Sequence, residues 1–250
     1  MPHPAFFLDI RRGSGFSDRV KKVGSLIAHW SQSETSGTVI TCLNNNARNG
    51  VYTGVTLNAI AGPHGYGAPQ YDAINDVGNI YSDSLSTALT NLGEGTALVF
   101  ARMLNAGVWT DGASRRLVTL ADATQSNKFA LLKHTVNNQL RVFFTRGGAS
   151  VVVTATITAA TDWFALALSF SAINNRLRGW YSTVGVSPSQ LGTTQTGVVA
   201  WSGVTLSNIR TVIGADDTTP LLMTNGYISD VIVWNTELDF STQLSPLMVL

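Results

Sequence analysis

From Val23 onward, short apolar runs separated by polar turns recur along the whole chain, and their periodicity is that of strands. Ser25-Leu26-Ile27-Ala28-His29-Trp30 opens the series. Residues 97–103, 116–120, 129–133 and 140–144 follow, and residues 150–157 are β-branched almost throughout, which suits a pleated, half-buried surface. Residues 163–170 form another apolar run, residues 176–181 alternate polar and apolar, and 212–214 and 227–234 close the set. Asn-rich breaks at Asn137-Asn138 and Asn174-Asn175 read as hairpin turns, because Asn tolerates positive φ. Strands at this spacing predict an all-β sandwich or barrel and argue against βαβ units. One short helix is expected, near residues 241–250. No repeat of fixed period and no Pro- or Gly-rich linker divides the body, so residues 23–250 are read as one domain.

Residues 1–22 read as a separate N-terminal arm. Pro2 and Pro4 stiffen its start, and Gly13-Ser14-Gly15 is expected to break any helix. Phe6-Phe7 needs cover, either from another protein or by lying as a first strand on the domain's own surface. Composition sharpens this picture. Charged residues make up 12% of the chain, against about 25% in average soluble proteins. Hydrophobic residues are an ordinary 44%, so Ser, Thr, Asn and Gly replace the missing charge. This excludes a disordered polyelectrolyte and a coiled coil, and suggests that a homo-oligomer covers part of the surface. The net charge of +1 excludes capture of nucleic acid by the chain as a whole. Charge is nevertheless uneven: the arm holds five basic and two acidic residues, the body eleven and thirteen. Cys42 is the single cysteine and reads as a small core residue. The apolar run at residues 5–8 is too short for a secretory signal, and no run is long enough to span a membrane. The expected site of folding is therefore a cytoplasm.

Several segments, in order, resemble the concanavalin A-like lectin/laminin G-like superfamily. They are Leu26-Ile27-Ala28-His29-Trp30, Glu34-Thr35-Ser36-Gly37, Asn49-Gly50-Val51-Tyr52-Thr53-Gly54, Asp162-Trp163-Phe164-Ala165-Leu166, Ile213-Gly214-Ala215, and Asn225-Gly226-Tyr227 through Trp234-Asn235. The resemblance implies a jelly-roll sandwich of two antiparallel sheets. The low charge and single free cysteine make the chain similar to such domains in bacteriophage structural proteins. Fold alone does not choose among lectins, glycosidases, adhesion modules and viral proteins.

The candidate chemistry is sparse. Glycosidases of this superfamily pair carboxylates two residues apart on a strand, which puts both on one face. Here the one Glu with such a neighbour is Glu237, with Asp239, after the last strand. His29 is expected to face a turn, and His64 to sit in a mobile Gly-rich loop. A catalytic site is therefore not expected. Asp216 and Asp217, in the loop after Ile213-Gly214-Ala215, offer oxygens for a calcium ion, the one metal considered. Trp30, Trp163 and Trp234 are expected in the core. Trp109 sits in a polar loop with Asp111, Arg115 and Arg116 nearby, and an exposed Trp there would stack on a sugar ring. Two functions follow, with a degenerate glycoside hydrolase as a remote third. One is a non-enzymatic virion protein, a capsid decoration or tail component, held to a viral capsid or tail protein by Phe6, Phe7, Arg11 and Arg12. The other is a carbohydrate-binding lectin or receptor-binding module recognising a cell-surface glycan.

Overall fold

A computed structural model of the chain describes residues 13–219 and 222–250. The anchoring residues Phe6, Phe7, Arg11 and Arg12 lie outside the described part. Two eight-stranded antiparallel sheets pack face to face as a sandwich. In the first, seven strands run in the spatial order β14 (Ser189–Gln195), β13 (Arg176–Thr183), β12 (Phe164–Ser171), β7 (Glu94–Met103), β16 (Asn225–Trp234), β5 (Gly67–Asp72) and β4 (Thr56–Ala61). The eighth, β1 (Leu26–Trp30), shares the free edge of β16 with β5. The second sheet runs β11 (Ala149–Thr156), β10 (Gln139–Arg146), β9 (Lys128–Lys133), β8 (Arg115–Ala121), β15 (Thr211–Ile213), β6 (Val77–Asn79), β3 (Gly50–Thr53) and β2 (Val39–Ile40).

Alternation along the strands sets the layers. On β12, Phe164, Leu166, Leu168 and Phe170 enter the core between the sheets. The intervening Ala165 and Ala167 face outward, and their small side chains let other elements pack closely there. That outer face of the first sheet is covered by α1 (Gly13–Lys22), a single π-helical turn (Phe240–Leu244) and α3 (Ser245–Met248). The expected C-terminal helix is therefore present. A further short helix, α2 (Asp83–Leu89), is capped by the Ser82 hydroxyl, which accepts from the Leu85 N–H, and buries Leu85 and Leu89 in the main core.

Helix α1 corrects the expectation that Gly13-Ser14-Gly15 forbids a helix. The glycines occupy its first turn, where backbone N–H groups have no intrahelical partner in any case. Phe16 and Val20, one turn apart, are buried against Leu98, Phe100, Ile232 and Trp234. Burying two such side chains contributes about 1.5–3 kcal/mol each. This exceeds the roughly 1 kcal/mol that an interior glycine costs a helix.

The outer face of the second sheet carries none of the three described helices. At its centre Ala130, Leu132, Phe143 and Val152 form a small apolar cluster shielded by long basic side chains. No described helix is long and apolar enough to cross a membrane.

Candidate functional site

A groove of about 460 Å³ opens at one end of the sandwich. That volume falls within the roughly 300–1,000 Å³ typical of small-ligand sites. One wall is the loop joining β11 to β12, with Thr158, Ala160, Thr161 and Asp162; the other is the end of β13, with Tyr181 and Thr183. The loop is held from behind. The Trp109 indole Nε1 donates to the Ala160 carbonyl at 2.7 Å, and its ring lies 5.5 Å from that of Phe164. Trp163, the next residue after Asp162, donates from its indole to the Ala61 carbonyl at 3.2 Å.

Tyr181 is the unusual group in this groove. Its hydroxyl is buried and makes no hydrogen bond. Burial pushes its pKa up, so it stays protonated and available as a donor. Asp162 is mostly exposed and lies 3.9 Å from Arg102, giving the rim one negative and one positive charge. Hydroxyls, one carboxylate and apolar Val184 and Val186 thus share one concave surface, with Arg102 near Asp162. Asp162 is the one carboxylate in the lining, so the groove lacks the carboxylate pair that most glycoside hydrolysis uses. A tyrosine nucleophile, the alternative found in sialidases, would need a base to take its proton, and no group hydrogen-bonds the Tyr181 hydroxyl.

Of the four residues expected to form a sugar site, Asp111 and Arg115 pair with each other, while Trp109 is buried and Arg116 turns to the other face. Trp109 is fully buried inside a 3-10 turn (Ala106–Thr110), so it has no face to offer a ligand. Its part is to hold the groove loop. Arg115 and Lys133 clamp Asp111: Arg115 donates from Nε (3.0 Å) and Nη2 (2.6 Å) to one oxygen, and Lys133 Nζ donates to the other at 2.7 Å. Burial alone would raise the Asp111 pKa, but these hydrogen bonds overcome it and hold the carboxyl below its usual range. Arg116, the next residue on β8, points to the opposite face, as strand alternation requires.

There Arg116 approaches Asp216 at 3.3 Å. Asp216 and Asp217, expected to offer oxygens to calcium, are instead met by arginine: Arg210 lies 2.8 Å from Asp217 and 3.7 Å from Asp216. Among the described residues no cluster of three or more His, Cys, Asp or Glu could hold a metal ion. Glu237 is occupied by Arg176 and Arg178, and Asp239 accepts from the Thr242 N–H at the start of the π-helical turn.

One polar cluster escaped the sequence reading. At a β-bulge in β16, the fully buried Asp230 accepts hydrogen bonds from His29 Nε2 (2.8 Å), His64 Nδ1 (3.0 Å), the Tyr66 hydroxyl and Ser229 Oγ (2.7 Å). His29 is therefore buried in the sheet and faces no turn, and its partner His64 ties down the loop expected to be mobile. The Phe16 ring of α1 stacks on His64 at 3.6 Å and meets His29 edge-on. This arrangement is a lock: it joins β1, β16, the loop at residues 62–66 and α1. The signal was present in the sequence, as a lone Asp inside the apolar run at residues 227–234.

No protein-family model and no curated protein sequence matches the chain. Solved structures do match. The Ruminococcus gnavus IT-sialidase CBM40 aligns with a TM-score of 0.54 at 12% identity, over 71% of this chain and 96% of that one. The binding domain of Botulinum neurotoxin serotype D gives 0.60 at 11%, over 88% of this chain and 50% of that one. Trypanosoma rangeli sialidase gives 0.62 at 8%, over 96% and 38%. At these identities the likeness is one of fold: the chain is a two-sheet antiparallel β-sandwich.

Proposed function

We propose that the chain is a glycan-binding module that takes its sugar in the groove between residues 158–162 and the end of β13. The observation that carries this reading is the Tyr181 hydroxyl, buried without a partner in the wall of the groove, where a small shift of the ring would bring it to a ligand. A buried polar group without a partner costs about 1–3 kcal/mol, and a ligand hydroxyl or carbonyl would relieve that cost. The structural neighbours support the same reading: the R. gnavus module was solved bound to α2,3 sialyllactose. Binding is the reading; turnover is not, because the groove has neither the carboxylate pair nor an activated nucleophile.

The test is a glycan array followed by calorimetric titration of the best ligand, with α2,3-sialyllactose and lactose as first probes. Tyr181→Phe is the informative variant because it moves two quantities in opposite directions. Removing the unsatisfied hydroxyl raises Tm by a few degrees, since about 1 kcal/mol corresponds to roughly 2–4 °C at this size. Losing the donor weakens glycan binding about tenfold. An array without hits, or a Tyr181→Phe protein that binds like wild type, overturns the reading.

Attachment to a virus particle has no such support. The residues assigned to it lie outside the described part, and none of the neighbours named above is a virus component.

A further inference from the structure

Four basic residues from four separate stretches of sequence meet on the outer face of the second sheet. Arg116 on β8 pairs across to Leu132 on β9, which pairs to Arg141 on β10, so the two arginines flank one cross-strand row. The next row outward-facing on β9 and β10 carries Ala130 and Phe143, and the row beyond carries Lys128 and Thr145. Arg116 and Lys128 lean over Phe143 from the rows on either side, the guanidinium carbon 4.9 Å and Nζ 5.1 Å from the ring centroid. The ring quadrupole holds two like charges near each other. Arg210 completes the group beside Asp216 and Asp217.

The acids do not balance the bases. Asp217 is engaged by Arg210 and by the N–H and hydroxyl of Thr219. Asp216 lies between Arg116 and Arg210. Lys128 donates to the Gln125 amide oxygen and Arg141 to the Thr154 hydroxyl, and among the described residues neither forms a salt bridge with a carboxylate. Arg116, with little exposure, has Nε and Nη1 buried and without hydrogen-bond partners. Burial, reinforced by Arg141, lowers the Arg116 pKa; burial and the charge of Arg116 likewise lower that of Lys128. Burial is the larger cause in both, and the nearby carboxylate of Asp216 opposes it without cancelling it.

We infer that this face is an anion-binding site for the carboxylate or sulfate groups of an acidic saccharide chain. An extended ligand fits better than a single small ion, because adjacent strands lie about 4.8 Å apart and the Arg116 and Arg141 backbones are therefore about 10 Å apart. Arg116, Arg141 and Lys128 would receive successive acidic groups along a chain laid across β8, β9 and β10. The site is separate from the groove and does not depend on it.

The experiment is calorimetric titration at low ionic strength with three probes: a glucuronate-containing oligosaccharide, its carboxyl-reduced neutral counterpart, and inorganic phosphate. Wild type is compared with the Lys128→Gln/Arg141→Gln double variant, which leaves the buried Arg116 in place, and with Tyr181→Phe. The expected result is binding of the acidic oligosaccharide alone, weakened about tenfold or more in the double variant and by added salt. Tm is expected to fall by at most a few degrees in the double variant, which loses the Lys128 contact with Phe143, and Tyr181→Phe is expected to bind the acidic probe like wild type. Equal binding of the acidic and neutral oligosaccharides, or undiminished binding by the double variant, overturns the inference. Phosphate binding as tightly as the oligosaccharide would refute the saccharide as ligand and leave a site for free oxyanions. Loss of the acidic probe in Tyr181→Phe would place that ligand in the groove and refute a separate site.

Discussion

Asp230→Asn is the most informative single change for the fold. The carboxylate has two oxygens, and the structure gives each of them donors: His29 Nε2 and the Tyr66 hydroxyl on Oδ1, His64 Nδ1 and Ser229 Oγ on Oδ2. An Asn fills the same volume but replaces one acceptor oxygen with an NH₂ donor. Whichever way the amide turns, its NH₂ then faces a histidine N–H in a site with no exposure to water, and only the hydroxyl beside it can turn to accept. Each stranded buried group costs about 1–3 kcal/mol, partly offset because a neutral amide costs less to bury than a carboxylate. The net loss should be about 2–4 kcal/mol. Against a total stability of about 5–15 kcal/mol this is large, and at this chain length it lowers Tm by roughly 5–15 °C.

The pH dependence makes the test sharper. Burial would raise the pKa of Asp230, but hydrogen bonds from His29 and His64 overcome it and hold the carboxyl well below the usual carboxylate range. A folded-state pKa below the unfolded one means stability that is present above the unfolded value, near 3.9, and lost as pH falls toward the folded one. The wild-type advantage over Asp230→Asn should therefore be full above about pH 5 and shrink in more acidic solution. Urea unfolding at a series of pH values measures it directly. A difference under about 0.5 kcal/mol at pH 7, or a gap that widens as pH falls below 4, would refute the account of Asp230 as an ionised acceptor holding four elements together.

Phe16→Ala removes the ring stacked on His64 and should cost about 3–5 kcal/mol, read as a lower urea midpoint; an unchanged midpoint would mean α1 adds nothing to the body. Trp109→Phe keeps most of the volume but strands the Ala160 carbonyl, so it should lower Tm modestly and weaken glycan binding through the groove loop; full binding would separate Trp109 from the groove. Gly214→Ala demands a left-handed backbone (φ +82°) from a residue with a Cβ, and that Cβ would fall on the Tyr71 ring, so the variant should fail to fold or lose several kcal/mol in a melting experiment.

The sequence made the central strands legible and the peripheral elements obscure, for a physical reason. β7, β12 and β16 are buried on both faces, so their sequences are continuous apolar runs that announce themselves. β14, read Ser-Gln-Leu-Gly-Thr-Thr-Gln, has a single buried side chain and is a strand because β13 offers it hydrogen bonds. β4 is likewise an exposed edge strand defined by its neighbour β5. Helix α1 was hidden by its own glycines, since its stability comes from burial on another element. Trp109 misled for a related reason. Its sequence neighbours are polar, but the carbonyl that fixes it belongs to Ala160, in a loop brought back by the sandwich. The groove was illegible because its two walls come from separate connections, each of ordinary Thr and Ala.

The scarcity of charge now has a structural account that connects both binding readings. Many of the charges are spent inside the molecule: Asp111 on Arg115 and Lys133, Glu237 on Arg176 and Arg178, Asp217 on Arg210, and Asp230 on two histidines. What remains at the groove is mostly threonine hydroxyl and one tyrosine, a surface that exchanges hydrogen bonds with hydroxylated ligands without demanding a counter-ion. On so neutral a background Lys128 and Arg141 stand out, because they share one sheet face and neither is held by a carboxylate there. The outer face of the first sheet is closed by α1 and α3, which leaves the end groove and the outer face of the second sheet for recognition. Neutral sugar hydroxyls suit the first and acidic groups the second. A single branched glycan carrying both would therefore bind more tightly than either part alone if its length spans the two sites, and its affinity would fall to that of one part in either Tyr181→Phe or the Lys128→Gln/Arg141→Gln double variant.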